Sequence, residues 1–324
     1  MPISELVPNR AAVVAAPAQS RSRWFPPPQS QGYQWVGMLP FIIVHILPLA
    51  AIWTGVHWYD WICCAVLYVT RMFFLTGAYH RYFSHRTFKT SRWFQFILAF
   101  FAMTSAQKGV LWWADHHRKH HKHADLEADP HSPVQRGFWY SHVFWIFDHT
   151  DQTEFANVSD LAKYPELRWL DKYYLVPPTI LALAVWGILG WSGLWIGFML
   201  STVFLWHGTF LINSLAHVFG RRRFATKDDS RNSWILALLT LGEGWHNNHH
   251  HYMSSTRQGF YWWEVDFTYY GLKALSWIGL IWDLREPPAS ILASGKLAAN
   301  QNQPTASSLI TSETLEQELD GALP

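Results

Sequence analysis

GEGWHNNHH, Gly242 to His250, decides how the rest of the chain is read. His246, His249 and His250 are three and four residues apart. On a helix or a tight helical turn such spacings put side chains on one face. Neutral imidazole is the commonest side-chain metal ligand, so the stretch is either a ligand face or a wet, histidine-rich loop. Other stretches favour the first. HRKHH at 117–121 repeats the spacing in His117, His120 and His121. HRYFSH at 80–85 supplies His80 and His85, and NSLAH at 213–217 sets Asn213 one turn before His217. The question is whether these groups can meet.

Only 15% of the 324 residues are charged, the formal charge is +2, and there are 21 tryptophans. A chain so poor in charge and so rich in Trp belongs in a membrane, with aromatic side chains at its interfaces. The near-neutral balance gives no case for nucleic acid. Cys63 and Cys64 are adjacent inside an apolar run, which supports neither a disulfide framework nor a thiolate metal site. Length alone allows two domains, but no linker divides the middle. The reading is a flexible cytosolic tail at 1–34 without a signal peptide, a membrane domain at 35–285, and a second flexible tail at 286–324. In the last, TSETLEQEL (311–319) carries a capping box suited to a short helix.

The runs Trp35 to Val56 and Trp58 to Tyr79 each approach the ~20 residues that span a bilayer. Trp93 to Ala106 is short for a span and reads as an interfacial helix. Tyr173 to Asn213 carries no formal charge and is interrupted by Gly190-Trp191-Ser192-Gly193, which reads as two spanning helices joined by a tight turn. The expected fold is an all-α integral membrane protein with four transmembrane helices. Every histidine group then lies on one face, under a helical cap that includes 232–241 and 260–282. Arg81, Arg86, Lys89, Arg92, Lys108, Arg118, Lys119, Lys122 and Arg221 to Arg223 share that face. The opposite turns carry no Lys or Arg, so the histidine face and both termini are expected in the cytosol.

The four motifs contain nine histidines: His80, His85, His117, His120, His121, His217, His246, His249 and His250. Nine exceed what one ion takes and suit two ions with four or five ligands each. Imidazole is compatible with Fe, Zn, Cu and Ni, so ligand type alone leaves the metal open. His80 and His85, five apart, share a centre only if the helix ends or turns between them. Asp115 and Glu243 are candidates for orienting imidazoles through hydrogen bonds. His116 and His251 abut the motifs. His45, His57, His123, His131, His142, His149 and His207 have no ligand spacing and are expected to make structural hydrogen bonds.

HRYFSH, HRKHH, NSLAH and GEGWHNNHH in this order, with ADPHSPVQRGFWYSHVFW (128–145) and QGFYWWEVDFTYY (258–270), resemble the integral-membrane fatty-acyl desaturases. The likeness is nearest to the acyl-CoA Δ9 (stearoyl-CoA) branch and its bacterial relatives, from about Trp35 to Asp283. It implies two iron ions held by the nine histidines and Asn213 bound through a water. It also implies O2-dependent insertion of a cis double bond into a saturated acyl chain, with electrons from outside. It assigns the bend of the acyl tunnel to Gln107, Trp113 and Thr209. Lys108 and Trp112 depart from eukaryotic members beside the acyl headgroup, which leaves CoA, acyl-carrier protein or a glycerolipid as carrier. With no fused haem domain, the resemblance implies a separate donor such as ferredoxin or cytochrome b5. The ligand set alone also allows a hydroxylase or ketolase. A metal transporter or metal-storage protein fits less well, because transporters place ligands near the bilayer midplane.

Tyr68, Met72, Thr76 and His80 recur every four residues and form one stripe of the second helix. Tyr68 lies about 18 Å along the axis from His80. Tyr68 and Met72 are therefore expected to floor the tunnel.

Overall fold

The computed structural model describes residues 32–148 and 152–301. Residues 1–31 of the tail expected at 1–34, and the helix expected at 311–319, lie outside the described residues.

Three helices are long and apolar enough to cross a membrane: α1, Trp35–Thr54; α2, Trp58–Ser84; and a third, Val176–His217. Between them lie α3, Arg92–Met103, and α4, Val110–His123; the third long helix is α5. Ile52, Trp53 and Ile188 stand well out from the protein surface, as side chains facing lipid do. At twelve residues, α3 is about 18 Å long, short of a span as expected.

The four expected spans meet three apolar helices in the structure, and the third is not continuous. Gly190 takes φ 70° and ψ −160°, a conformation open to glycine and strained for other residues. The Gly-Trp-Ser-Gly stretch therefore breaks α5 where a turn was expected. His57, between α1 and α2, reaches this break, its Nδ1 3.3 Å from Ser192 Oγ.

The second half of α2 is the structural pivot. Leu75–Ser84 widens into a π-helix in which every residue is buried. The i→i+5 bonds of such a stretch make a wide turn, so residues five apart come round to nearly the same side. The His85 N–H donates to His80 O at 3.3 Å, and the two rings lie 4.9 Å apart. This is how HRYFSH brings both imidazoles to one centre. The main core packs here, with Leu75, Tyr79 and Phe83 of α2 against Leu98 and Met103 of α3, Leu111 of α4, and Leu161 and Leu167.

The last histidine motif forms a short helix, α6, His246–His251. It is followed by α7, Phe267–Trp277, and α8, Ala289–Gln301. Exposed Trp234, Trp262 and Trp277 surround this end, as aromatic residues do at a membrane interface. Within the segment expected as a flexible tail at 286–324, residues 289–301 form α8, and 302–324 lie outside the described residues. Ile291 and Leu292 pack on Phe224, Phe260 and Tyr261, and the Tyr261 hydroxyl donates to Leu292 O at 2.8 Å. That apolar anchor is a physical reason for order in a stretch whose composition reads as tail.

Candidate metal centre

Each histidine motif is held by contacts that its sequence does not advertise. Asp171 caps α4 by accepting from the N–H groups of Leu111 at 2.8 Å and Trp112 at 3.1 Å, satisfying donors that a helix start leaves open. Arg118 of α4 grips the end of α2, donating to Phe83 O at 2.8 Å and Ser84 O at 3.0 Å. In α6 the two asparagines of HNNHH point away from the histidine face. Asn247 accepts from the N–H groups of Arg223 at 2.8 Å and Phe224 at 2.7 Å. Asn248 donates to Glu264 at 2.8 Å.

The nine histidines gather in two groups. His80, His85, His117, His121 and His249 form one, and His120, His217, His246 and His250 the other; in each, the candidate ligand atoms lie within 4.8 Å of one another. The Nε2 atoms point inward. In the first group His80 and His249 are 3.0 Å apart, His85 and His117 2.8 Å, and His121 and His249 2.9 Å. In the second, His217 and His246 are 3.1 Å apart, and His120 and His250 3.3 Å. Nitrogens about 2.1 Å from one ion and at right angles to it are about 3.0 Å apart, so these separations are those of neighbouring ligands. HRKHH divides between the groups: His117 and His121 face one, His120 the other.

Protonation fits ligation too. Burial first, and neighbouring imidazoles second, push His85, His117, His121, His246 and His249 well below the ordinary histidine value. His250 is pushed down to about 4 by burial, against the hydrogen bond that it donates to Asp228. Neutral imidazoles keep the lone pair that an ion needs.

The outward Nδ1 atoms meet carboxylates. Glu243 was expected to orient an imidazole: it pairs with His80 and with Arg81, the latter at 3.0 Å. Asp115 was expected to do the same, but no contact between it and any of the nine is found among the described residues. It accepts from the Glu154 N–H at 2.8 Å and the Asn157 amide at 2.8 Å, and ties α4 to that loop. Its side chain faces that loop and not the histidine groups. The orienting acids that sequence reasoning missed are Asp125 on His217 at 2.9 Å, Asp129 on His120 at 3.0 Å and Asp228 on His250 at 3.0 Å. Burial opposes charge on Asp129 and Asp228, yet their histidines hold both well below the usual carboxylate range. Only Asp129, inside the ADPH stretch, carried a signal.

Histidines without ligand spacing do make other contacts. His116 is stacked on Trp112 with centroids 4.2 Å apart, and His251 on Phe224 at 4.1 Å. His45, His207 and His142 form a chain with successive ring nitrogens 3.0 Å apart, ending at Ser214. His131 stacks on His120, centroids 4.4 Å apart. His149 lies outside the described residues.

Two cavities meet the histidines. The larger, about 460 Å³, is lined by Gln107, Trp113, Thr209 and Asn213 and by Phe41, Trp206 and Phe210, and reaches His117. The smaller, about 30 Å³, holds Trp113, Thr209 and Asn213 again, between His80 and His117 of one group and His120 and His246 of the other. The Gln107 amide donates to Thr209 Oγ1 at 3.0 Å. Ala106 and Lys108 flank Gln107 with φ of 55° and 65°, strain of the kind that gathers at functional sites. Met72, Thr76 and His80 line the smaller cavity. Tyr68 lines neither of the two; its hydroxyl donates to Leu239 O at 2.6 Å.

Fold and site together define a helical protein with membrane-length apolar helices and two imidazole clusters able to hold metal ions beside an apolar cavity. Residues 56–276 match the family model for fatty acid desaturases. Among curated relatives, the sn-2 palmitoyl-lipid 9-desaturase of Nostoc sp. (strain 36) is 35% identical over 76% of this chain and 88% of its own length. The sn-1 stearoyl-lipid 9-desaturase of Anabaena variabilis is 36% identical over 76% of this chain and 92% of its own. The acyl-CoA 5-desaturase AL21 of Anemone leveillei is 36% identical over 75% and 77%. The chain belongs to the fatty acid desaturase family and is an oxidoreductase that desaturates fatty acyl chains.

Proposed function

We propose that this chain inserts a cis double bond at the Δ9 position of a saturated acyl chain, using O2 and two iron ions held by the nine histidines. The observation that carries the reading is the pair of inward-facing Nε2 clusters on either side of one cavity. Position nine is supported by relatives named 9-desaturases. It is also supported by Gln107, Trp113 and Thr209 in the cavity wall. The nine histidines would hold the two ions, which when bound would supply the O2-dependent oxidation of the acyl chain at C9 and C10.

This chain's own residues do the positioning. The aromatic wall of Phe41, Trp206 and Phe210 excludes water and takes the acyl chain by apolar burial. The Gln107 to Thr209 bond joins α5 to the loop before α4 and holds the bend. Asn213, between the two groups, holds an ion-bound water. Met72 floors the tunnel at the smaller cavity, and Tyr68, which lines neither cavity, backs it beside Gly208. The break at Gly190 supports four crossings, with the histidine face and both termini cytosolic and the membrane domain at 35–285. The acyl carrier is CoA or a glycerolipid, and electrons come from a separate carrier such as ferredoxin or cytochrome b5.

The test is lipid profiling of cells expressing the protein or its His120→Ala variant. The wild type should raise Δ9-unsaturated chains, and the variant should not while losing bound iron. Equal unsaturation in both would sink the reading.

A further inference from the structure

Both clusters turn Nε2 inward, but their outward Nδ1 atoms meet unlike surroundings. In the group of four, three imidazoles rest on aspartates: His120 on Asp129, His217 on Asp125 and His250 on Asp228. Among the described residues none of these acids pairs with Lys or Arg. Neutral donors hold them instead. Asp129 accepts from the N–H groups of Asp125 and His131. Asp125 accepts from the Ser132 hydroxyl and the Asp229 N–H. Asp228 accepts from the Ser230 N–H. His246 Nδ1 is buried without a partner.

In the group of five, among the described residues only His80 meets a carboxylate. That acid, Glu243, also takes Arg81 at 3.0 Å and the Gln258 amide at 3.0 Å. Arg81 is shared with Asp266 at 3.0 Å, so the charge of Glu243 is compensated in part, whereas the three aspartates meet no cation of this kind among the described residues. His249 Nδ1 is buried with no partner.

A carboxylate on the far nitrogen makes an imidazole a stronger donor. An uncompensated negative charge in a buried setting also favours a more highly charged ion. Both effects act three times on one ion and weakly, once, on the other. We propose that the two ions are electronically inequivalent, the four-histidine site being built for ferric iron and the five-histidine site for ferrous iron. Asp125, Asp129 and Asp228 are the positioning residues that create the difference. The inference rests on the two-iron reading above. Each Fe(III) takes one electron to become Fe(II). The two electrons arrive singly from the external one-electron carrier, and the first goes to the five-histidine ion.

The experiment is a redox titration of the purified, iron-loaded full chain, with ferric and ferrous iron counted by Mössbauer spectroscopy. Half the iron should be reduced in a first step and half at a lower potential. Asp228→Asn, Asp129→Asn and Asp125→Asn, made singly, remove charge and keep shape. Loss of such an outer partner typically costs about 10-fold or more in metal affinity. A 10-fold change in ferric-over-ferrous preference is about 59 mV for one electron. Each variant should raise the lower step by that order and leave the upper step in place, and Asp228→Glu should restore it. Glu243→Gln should move the upper step alone. A single potential for both ions in the wild type, or an unchanged gap in all three Asn variants, overturns the proposal and leaves the metal reading intact. A folded protein that binds no iron overturns both.

Discussion

Single side chains carry two kinds of consequence. Asn213 lines both cavities, in the smaller one with His120 and His246, and its proposed task is to hold a water rather than an ion. Asn213→Ala should keep its metal and its fold while turnover falls by about 10–100-fold, the usual cost of losing an outer partner. Iron analysis beside an assay on saturated acyl substrate checks this, and loss of iron would contradict it. His142 gives a pH signature. It is buried outside the long helices and is pushed down to about 4, by burial first and by His207 second. An unfolded chain binds the same proton near pH 6.5. Below that pH the unfolded state takes up a proton that the folded state refuses, so stability falls as pH drops from about 6.5 towards 4. His142→Gln should flatten that fall in thermal unfolding of the detergent-solubilised protein. Identical slopes would show that His142 does not contribute.

Elements matter through register. On α2 the stripe Met72, Thr76 and His80 lines the smaller cavity, while Tyr68 reaches Leu239 across the helix end. Met72 and Tyr68 also crowd Gly208 of α5, where an added methyl would lie 3.0 Å from Met72 Cε and 3.1 Å from Tyr68 Oη. Met72 thus bounds the smaller cavity, and Tyr68 packs behind it beside Gly208. Shortening Met72 to Ala should lengthen the tunnel and shift product towards longer chains, and Tyr68→Ala should extend the shift. Gas chromatography of cellular acyl chains reads the outcome; an unchanged length profile in both variants would refute the floor. The stripe was legible from a spacing of four. That Tyr68 ends in a backbone hydrogen bond depends on where residue 239 comes to rest.

At the scale of the whole molecule, every motif must reach one face. The contact of His57 with Ser192 brings the turn after α1 together with the break at Gly190, and α2 runs on from Trp58 to the histidines at its far end. Four crossings follow if α5 reverses at Gly190. Reporter domains fused after residue 55 or 190 should then lie on one side of the membrane, and those fused after 220 on the other. Reporters after 190 and 220 on the same side would refute the hairpin.

The sequence by itself determined the class of protein and the nine imidazoles, because apolar length and spacings of three and four are local properties of the chain. It also marked Gly190 as a break and Glu243 as a partner, each one step from a recognisable motif. Tertiary structure decided how the nine divide into five and four, since HRKHH sends adjacent His120 and His121 to different groups. It decided which acids serve them. Asp125 lies 92 residues from His217 and Asp228 22 from His250, whereas Asp115, in sequence the nearest acid to HRKHH, turns away. It also decided the order of α8, whose Ile291 and Leu292 pack on Phe224, Phe260 and Tyr261. Spacing along a helix predicts which side chains share a face, and only packing between elements says what that face meets.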